Sequence, residues 1–197
     1  MMGGFYSSDS KNQTKCSPSR KIVAMSIRRI GQVYVADTAR IFGEVDLGPD
    51  VSIWYGVVIR GDVAPITIGE MTNVQDNTVV HCDKGLANVI GSRVTIGHGA
   101  IVHGVSVGNG ALIGMGARLL GRTQIGVGAL VAAGAVVPEG MVVPAGMVAM
   151  GVPAKITRPT TDREKEYLLK LPPRYVEVAK MHCEKPDSPL CRAFGTR

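Results

Sequence analysis

Three of the chain's four histidines, His81, His98 and His103, fall within 23 residues. Three convergent imidazoles can hold a zinc-type ion and leave a fourth position open for water, the arrangement of catalytic rather than structural metal sites. Whether these three converge depends on the element that carries them.

That element is a repeat. Aliphatic residues recur every six positions through Val35, Ile41, Leu47, Ile53 and Ile59, then Ile68, Val74 and Val80. They continue through Ile90, Ile96 and Val102, and then from Val107 by Ile113, Leu119, Ile125, Val131 and Val137 to Val143. A six-residue period is neither helical nor a simple strand alternation; it fits a short strand plus a tight turn, repeated as in parallel β-helices. Three hexads make one triangular coil, so these eighteen inward positions predict an all-β solenoid of about six coils. The chain has 25 glycines, which suit turns that need a positive φ.

The period places the polar residues. His81 follows Val80 and His103 follows Val102, so both share one phase on adjacent coils, with Arg60 one coil earlier. Stacked backbones lie about 4.8 Å apart, so both rings can reach one ion. His98 lies two residues after Ile96, on another side, in a column with Asp76 and Tyr55. It is not expected to reach the other two within one chain. Packing the side that carries His81 and His103 against the side of the next subunit that carries His98 would join the columns. Cyclic repetition of that contact closes a homotrimer with metal sites between subunits. Hydrogen-bonded turn histidines are the plainer account, and they explain any one of these residues. Two columns continued by Arg60 and by Asp76 favour metal.

The rest of the chain bounds the function. Residues 1–28 read as a disordered polar extension, 29–158 as the β-helix, 159–183 as a helical segment on its side, and 184–197 as a flexible tail. Asp162 is the expected helix cap, with Glu164 and Glu166 in the first turn, and Pro172-Pro173 should break the segment into two helices. The net charge is +6. Lys11, Lys15, Arg20 and Lys21 against Asp9 supply half of it, and no basic stretch is interleaved with aromatics, so nucleic acid is not an expected partner. No apolar run reaches the ~18 residues of a membrane span. The four cysteines form no CxxC pair, which fits a reducing compartment. Cytoplasmic localisation is expected, or organellar if residues 1–24 are a targeting segment.

Arg60-Gly61-Asp62-Val63, Asn73-Val74-Gln75-Asp76, Val80-His81 and Ile96-Gly97-His98-Gly99-Ala100-Ile101-Val102-His103-Gly104 resemble the signature of the γ-class carbonic anhydrases. Ala111–Ala117 continues it. The resemblance covers residues 29–182, and implies a left-handed β-helix, a homotrimer, and zinc (or iron or cobalt) held by His81 and His103 of one chain and His98 of its neighbour. It implies that Arg60 and Asp62 pair across the interface. Gln75 would be hydrogen-bonded near the metal-bound water, Asp76 would be a further polar residue of the site, and Tyr175 a site tyrosine on the C-terminal helix, with Tyr167 its rival. The implied reaction is metal-dependent hydration of carbon dioxide to bicarbonate. The ion lowers the pKa of its water toward ~7, and the resulting hydroxide attacks carbon dioxide. The chain departs from the family's pattern in lacking two glutamates: Val63 stands at one place, and only Asp83 follows His81. That leaves room for weak activity or a non-catalytic assembly role. Gly151-Val152-Pro153-Ala154-Lys155 occurs also in hexapeptide acyltransferases, so a coenzyme A-dependent acyltransferase or a thioesterase relative is the alternative.

Overall fold

The computed structural model describes residues 26–184. Short strands run parallel in three stacked columns, joined by tight turns, and build a left-handed β-helix of about six coils. The register follows the six-residue period. Val80 pairs with Ile59 above and Val102 below, on what we call side one. Ile90 lies between Ile68 and Val107 on side two. Ile96 lies between Val74 and Ile113 on side three.

The inward residues from Ile53 to Val143 are all buried. Each buries an aliphatic side chain worth about 1.5–3 kcal/mol. The first coil is the exception: Ile41 is exposed and Val35 and Leu47 are half-buried, because no further coil of the described residues lies above them. Side three is closed at both ends by antiparallel strands. Ile27–Ile30 pairs with Val33–Ala36 at the top, and Ala154–Pro159 pairs with Met147–Gly151 at the bottom. Such capping covers edges that would otherwise template further strands. The fold therefore starts by Ile27, inside the segment expected to be an extension. The remainder of that segment, and the tail from residue 185, lie outside the described residues.

The described residues end in one helix, α1 (Asp162–Glu184), where two were expected. Pro172 and Pro173 remove two backbone donors, yet the helix runs through them. Leu168, Leu171, Pro172, Val176 and Ala179 are buried against the solenoid, and this packing outweighs the local preference to break. Its cap is Thr161 rather than Asp162. Thr161 Oγ1 accepts from the Glu164 N–H at 3.3 Å, and the Glu164 carboxylate accepts from the Thr161 N–H at 2.8 Å. This reciprocal pair is a capping box. Helix α1 lies along side three, where Tyr34, Ser52, Asn73 and Thr95 point outward from the sheet and are buried.

Candidate metal centre

The turns after sides one and three carry the polar residues. His81 and His103 lie in the turn between sides one and two, one coil apart; the His81 N–H donates to the Val102 carbonyl at 3.1 Å. Their rings are 5.1 Å apart between centroids and tilted by 56°. Behind them, Asn88 is fully buried and donates through Nδ2 to the His81 carbonyl at 3.0 Å. Periodicity did not single Asn88 out, because its signal is a polar residue two positions before an inward aliphatic, on the same face as Ile90.

Each imidazole of the pair touches a carboxylate. His81 Nε2 lies 3.2 Å from Asp62 Oδ1, and His103 Nε2 lies 3.0 Å from Asp83 Oδ1. Arg60 grips both oxygens of Asp62 at 2.8 and 2.7 Å. The Arg60 guanidinium, followed by His81, holds the Asp62 carboxyl below the usual range. Within the chain, then, Arg60 and Asp62 pair with each other. Gly61 between them has no room for a side chain: a Cβ would lie 2.4 Å from the Glu44 carbonyl oxygen. Asp83 is more than a turn residue, since its carboxylate reaches the ligand candidate directly. Cys82, beside His81, is buried and donates to the Ala64 carbonyl at 3.3 Å. Burial pushes its thiol pKa up, which makes it a core residue rather than a redox switch.

His98 occupies the turn between sides three and one. It is held outward by Gly97, where a Cβ would sit 2.7 Å from the Met115 nitrogen, and by Gly99, whose φ is +67°. Its side chain is 48% exposed, against 16% for His81. Asp76 Oδ2 meets His98 Nδ1 at 2.7 Å, which fixes the ring and leaves Nε2 as its other polar atom. Asp76 Oδ1 also accepts from the Tyr55 N–H at 3.3 Å. Among the described residues, no three His, Cys, Asp or Glu side chains of one chain group closely enough to enclose a metal ion. His81 with His103 make a pair, and His98 stands apart.

The remaining candidates gather on the His98 side. Gln75 is buried and donates through Nε2 to Asn73 Oδ1 at 3.0 Å. Gln75 is also hydrogen-bonded to the Tyr175 hydroxyl, while burial, and then the charge of Asp76, raise the Tyr175 pKa. That hydroxyl keeps its proton at neutral pH. Tyr175 packs edge-on against Trp54 at 5.6 Å. A cleft of about 330 Å³ joins Gln75, His98, Tyr167 and Tyr175 to an apolar floor of Leu112, Ile113 and Leu130. Tyr167 and Tyr175 thus line it together.

No family model matches the chain. A carbonic anhydrase of Geobacillus kaustophilus is 44% identical over 149 residues, which span 76% of this chain and 82% of that protein. The chain belongs to the γ-class carbonic anhydrase family. A further member, the mitochondrial gamma carbonic anhydrase 2 of Arabidopsis thaliana, is 42% identical over 159 residues; this chain spans 57% of that protein's length. Among solved structures, a hexapeptide transferase family protein from Anaplasma phagocytophilum superposes with a TM-score of 0.74 at 42% identity, over 77% of this chain and 89% of that one. Membership of the γ-class carbonic anhydrase family implies a metal cofactor. Two imidazoles at ring-contact distance, each with a carboxylate at its Nε2, suit a divalent ion. No helix of the described residues is long and apolar enough to cross a membrane.

Proposed function

We propose that this chain forms a homotrimer that interconverts carbon dioxide and bicarbonate at three zinc sites, each shared by two subunits. One observation carries the reading: the ligand pair and the third histidine occupy opposite edges of side one, and neither completes a site alone. Iron or cobalt would suit the same imidazoles.

The solenoid supports a specific way to close the ring. The outer face of side three is taken up by α1, so packing side one flat against side three is excluded. Side one instead presents Val58, Val79 and Ile101, all exposed, toward a three-fold axis. Its two edges then meet the edges of its neighbours, so the His98 turn of one subunit faces the His81–His103 turn of the next. The heights agree. One side of a coil climbs about a third of the 4.8 Å coil spacing, so His98 sits about 1.6 Å from the level of His103 and about 3.2 Å from that of His81, between them.

His81, His103 and the neighbour's His98 would hold the ion. When bound, it supplies Lewis acidity that brings a water's pKa down toward ~7. The chain's own residues do the rest. Asp76 pins His98 at Nδ1 and leaves Nε2 as the donor. Gln75, fixed by Asn73 and by the Tyr175 hydroxyl, presents a rigid amide beside His98. The apolar floor of the cleft suits a neutral, nonpolar substrate. Asp83, exposed at the lip beside His103, is the carboxylate placed to pass a proton to solvent in the absence of the family glutamates.

Metal content and carbon dioxide hydration should be measured on one sample, loaded with zinc or anaerobically with iron, beside His81→Ala. Metal-replete protein no faster than the variant would sink the enzyme reading and leave an assembly role. The coenzyme A reading rests on the solenoid and on the Gly151-Val152-Pro153-Ala154-Lys155 motif. Thermal stabilisation by micromolar acetyl-CoA would reopen it.

A further inference from the structure

The cleft beside His98 has a second branch. A cavity of about 350 Å³ under α1 is lined by Trp54, Asp76, His98, Tyr167, Arg174 and Tyr175, among others. The two branches share His98, Tyr167, Leu171 and Tyr175, but they differ in chemistry. The first has an aliphatic floor. The second brings a guanidinium to the mouth.

Arg174 is set apart from the lysines of its helix. Lys165 pairs with Asp162 at 3.0 Å, Lys170 with Glu166, and Lys180 with Glu177 at 2.9 Å. Arg174 has no carboxylate partner among the described residues, although it is one helical turn from Glu177, which faces Lys180 instead. Asp76, the carboxylate in the same cavity, is engaged by His98 and by the Tyr55 N–H. The Tyr175 hydroxyl beside it stays neutral and does not repel an anion. An unpaired guanidinium over a partly enclosed cavity attracts small oxyanions, for which its planar fork is shaped.

We infer that Arg174 is an anion-gathering residue: it draws bicarbonate into, and releases it through, the branch under α1, while neutral carbon dioxide uses the aliphatic branch. The name of the anion rests on the proposed hydration reaction; the affinity of this branch for small anions does not. Arg174 acts on specificity and on the anion's approach, not on the reacting bond.

The chain's single tryptophan, Trp54, lines the same cavity and reports on it without any turnover. The experiment is quenching of Trp54 fluorescence in the full chain by iodide, an anion, and by acrylamide, a neutral quencher, with bicarbonate as competitor. Iodide quenching should fall severalfold in Arg174→Gln and persist in Arg174→Lys, acrylamide quenching should be equal in all three, and bicarbonate should protect the parent. Equal iodide quenching in parent and Arg174→Gln, or no protection by bicarbonate, overturns the inference. In turnover, Arg174→Gln should raise the KM for bicarbonate about tenfold, as loss of one charge-assisted contact does, with the KM for carbon dioxide unchanged. Parallel rises in both constants would also overturn it. Protein that responds to iodide and bicarbonate as expected, yet hydrates no carbon dioxide, would sink the reaction and keep the anion branch.

Discussion

The two edges of side one are built on different plans. At the His81–His103 edge the solenoid is bare. The histidines are stacked by backbone pairing and buttressed by Asp62 and Asp83, and no residue of α1 takes part. At the His98 edge a single histidine stands on a two-glycine turn, pinned by Asp76 and roofed by the aromatics that α1 packs against Trp54. The first edge is a histidine pair with charge around it. The second is one histidine with a cavity behind it. The division suggests that metal affinity is set mainly at one edge and access to the site mainly at the other.

Damage to each edge separately tests whether the two edges of neighbouring subunits meet. His81→Ala and His98→Ala should each abolish tight metal binding. A one-to-one mixture, dissociated and reassembled, should regain about a quarter of its sites, because some contacts then join an intact pair to an intact His98. A mixture of His81→Ala with His103→Ala should regain none, since both damage the same edge. Metal stoichiometry reads the difference. Recovery in both mixtures, or in neither, would mean that the edges do not meet as described.

What could be read in the sequence follows the same division. The bare edge was legible because a six-residue period fixes phase: Val80 and Val102 determine that His81 and His103 stack, whatever lies around them. The phase of His98 with Asp76 was legible for the same reason, and so was their separation from the pair. The roofed edge was not. Pro172-Pro173 signals a break by local rules, and only burial against side three carries α1 through it. That side three is covered, and so cannot pack flat on a neighbour, depends on this tertiary contact too. The contact of Asp83 with His103 was hidden because the loop after Cys82 leaves the period, so no phase argument applies.

Asp76→Asn tests the pinning of His98. A carboxylate that holds a ligand's second nitrogen is worth about 10- to 100-fold in metal affinity, and the loss should appear in a chelator competition. Asp83→Asn at the other edge should cost less, since Asp83 is the more exposed carboxylate and its contact is longer, 3.0 Å against 2.7 Å. An equal loss from both would blur the contrast between the edges.

Leu171→Ala tests whether the roof belongs to one edge alone. Leu171 is buried between α1 and the solenoid, and truncation of a buried leucine costs ~2 kcal/mol or more. Thermal unfolding should register that loss, and Trp54 emission should shift to the red as water enters the cavity. Circular dichroism of the solenoid should be unchanged, because the His81–His103 edge makes no contact with α1.

The smallest expected effect lies at the start of the roof. Glu164 bonds Arg158 through both oxygens at 2.8 and 2.9 Å and closes the capping box with Thr161. The Arg158 guanidinium, followed by the Thr161 backbone, lowers its pKa from 4.5 to about 2. A carboxyl depressed in the folded state binds its proton more readily when unfolded. The stabilisation is therefore complete above pH 4.5 and drains away as the pH falls toward 2. Glu164→Gln should cost about 1 kcal/mol at neutral pH, the size of a lost cap with a partly exposed ion pair. The gap between parent and variant should narrow on acidification and close near pH 2. Thermal melts at intervals across that range decide it: a gap that stays constant with pH would mean that the amide is lost to packing and not to charge, and that the roof is held at its N-terminus by shape alone.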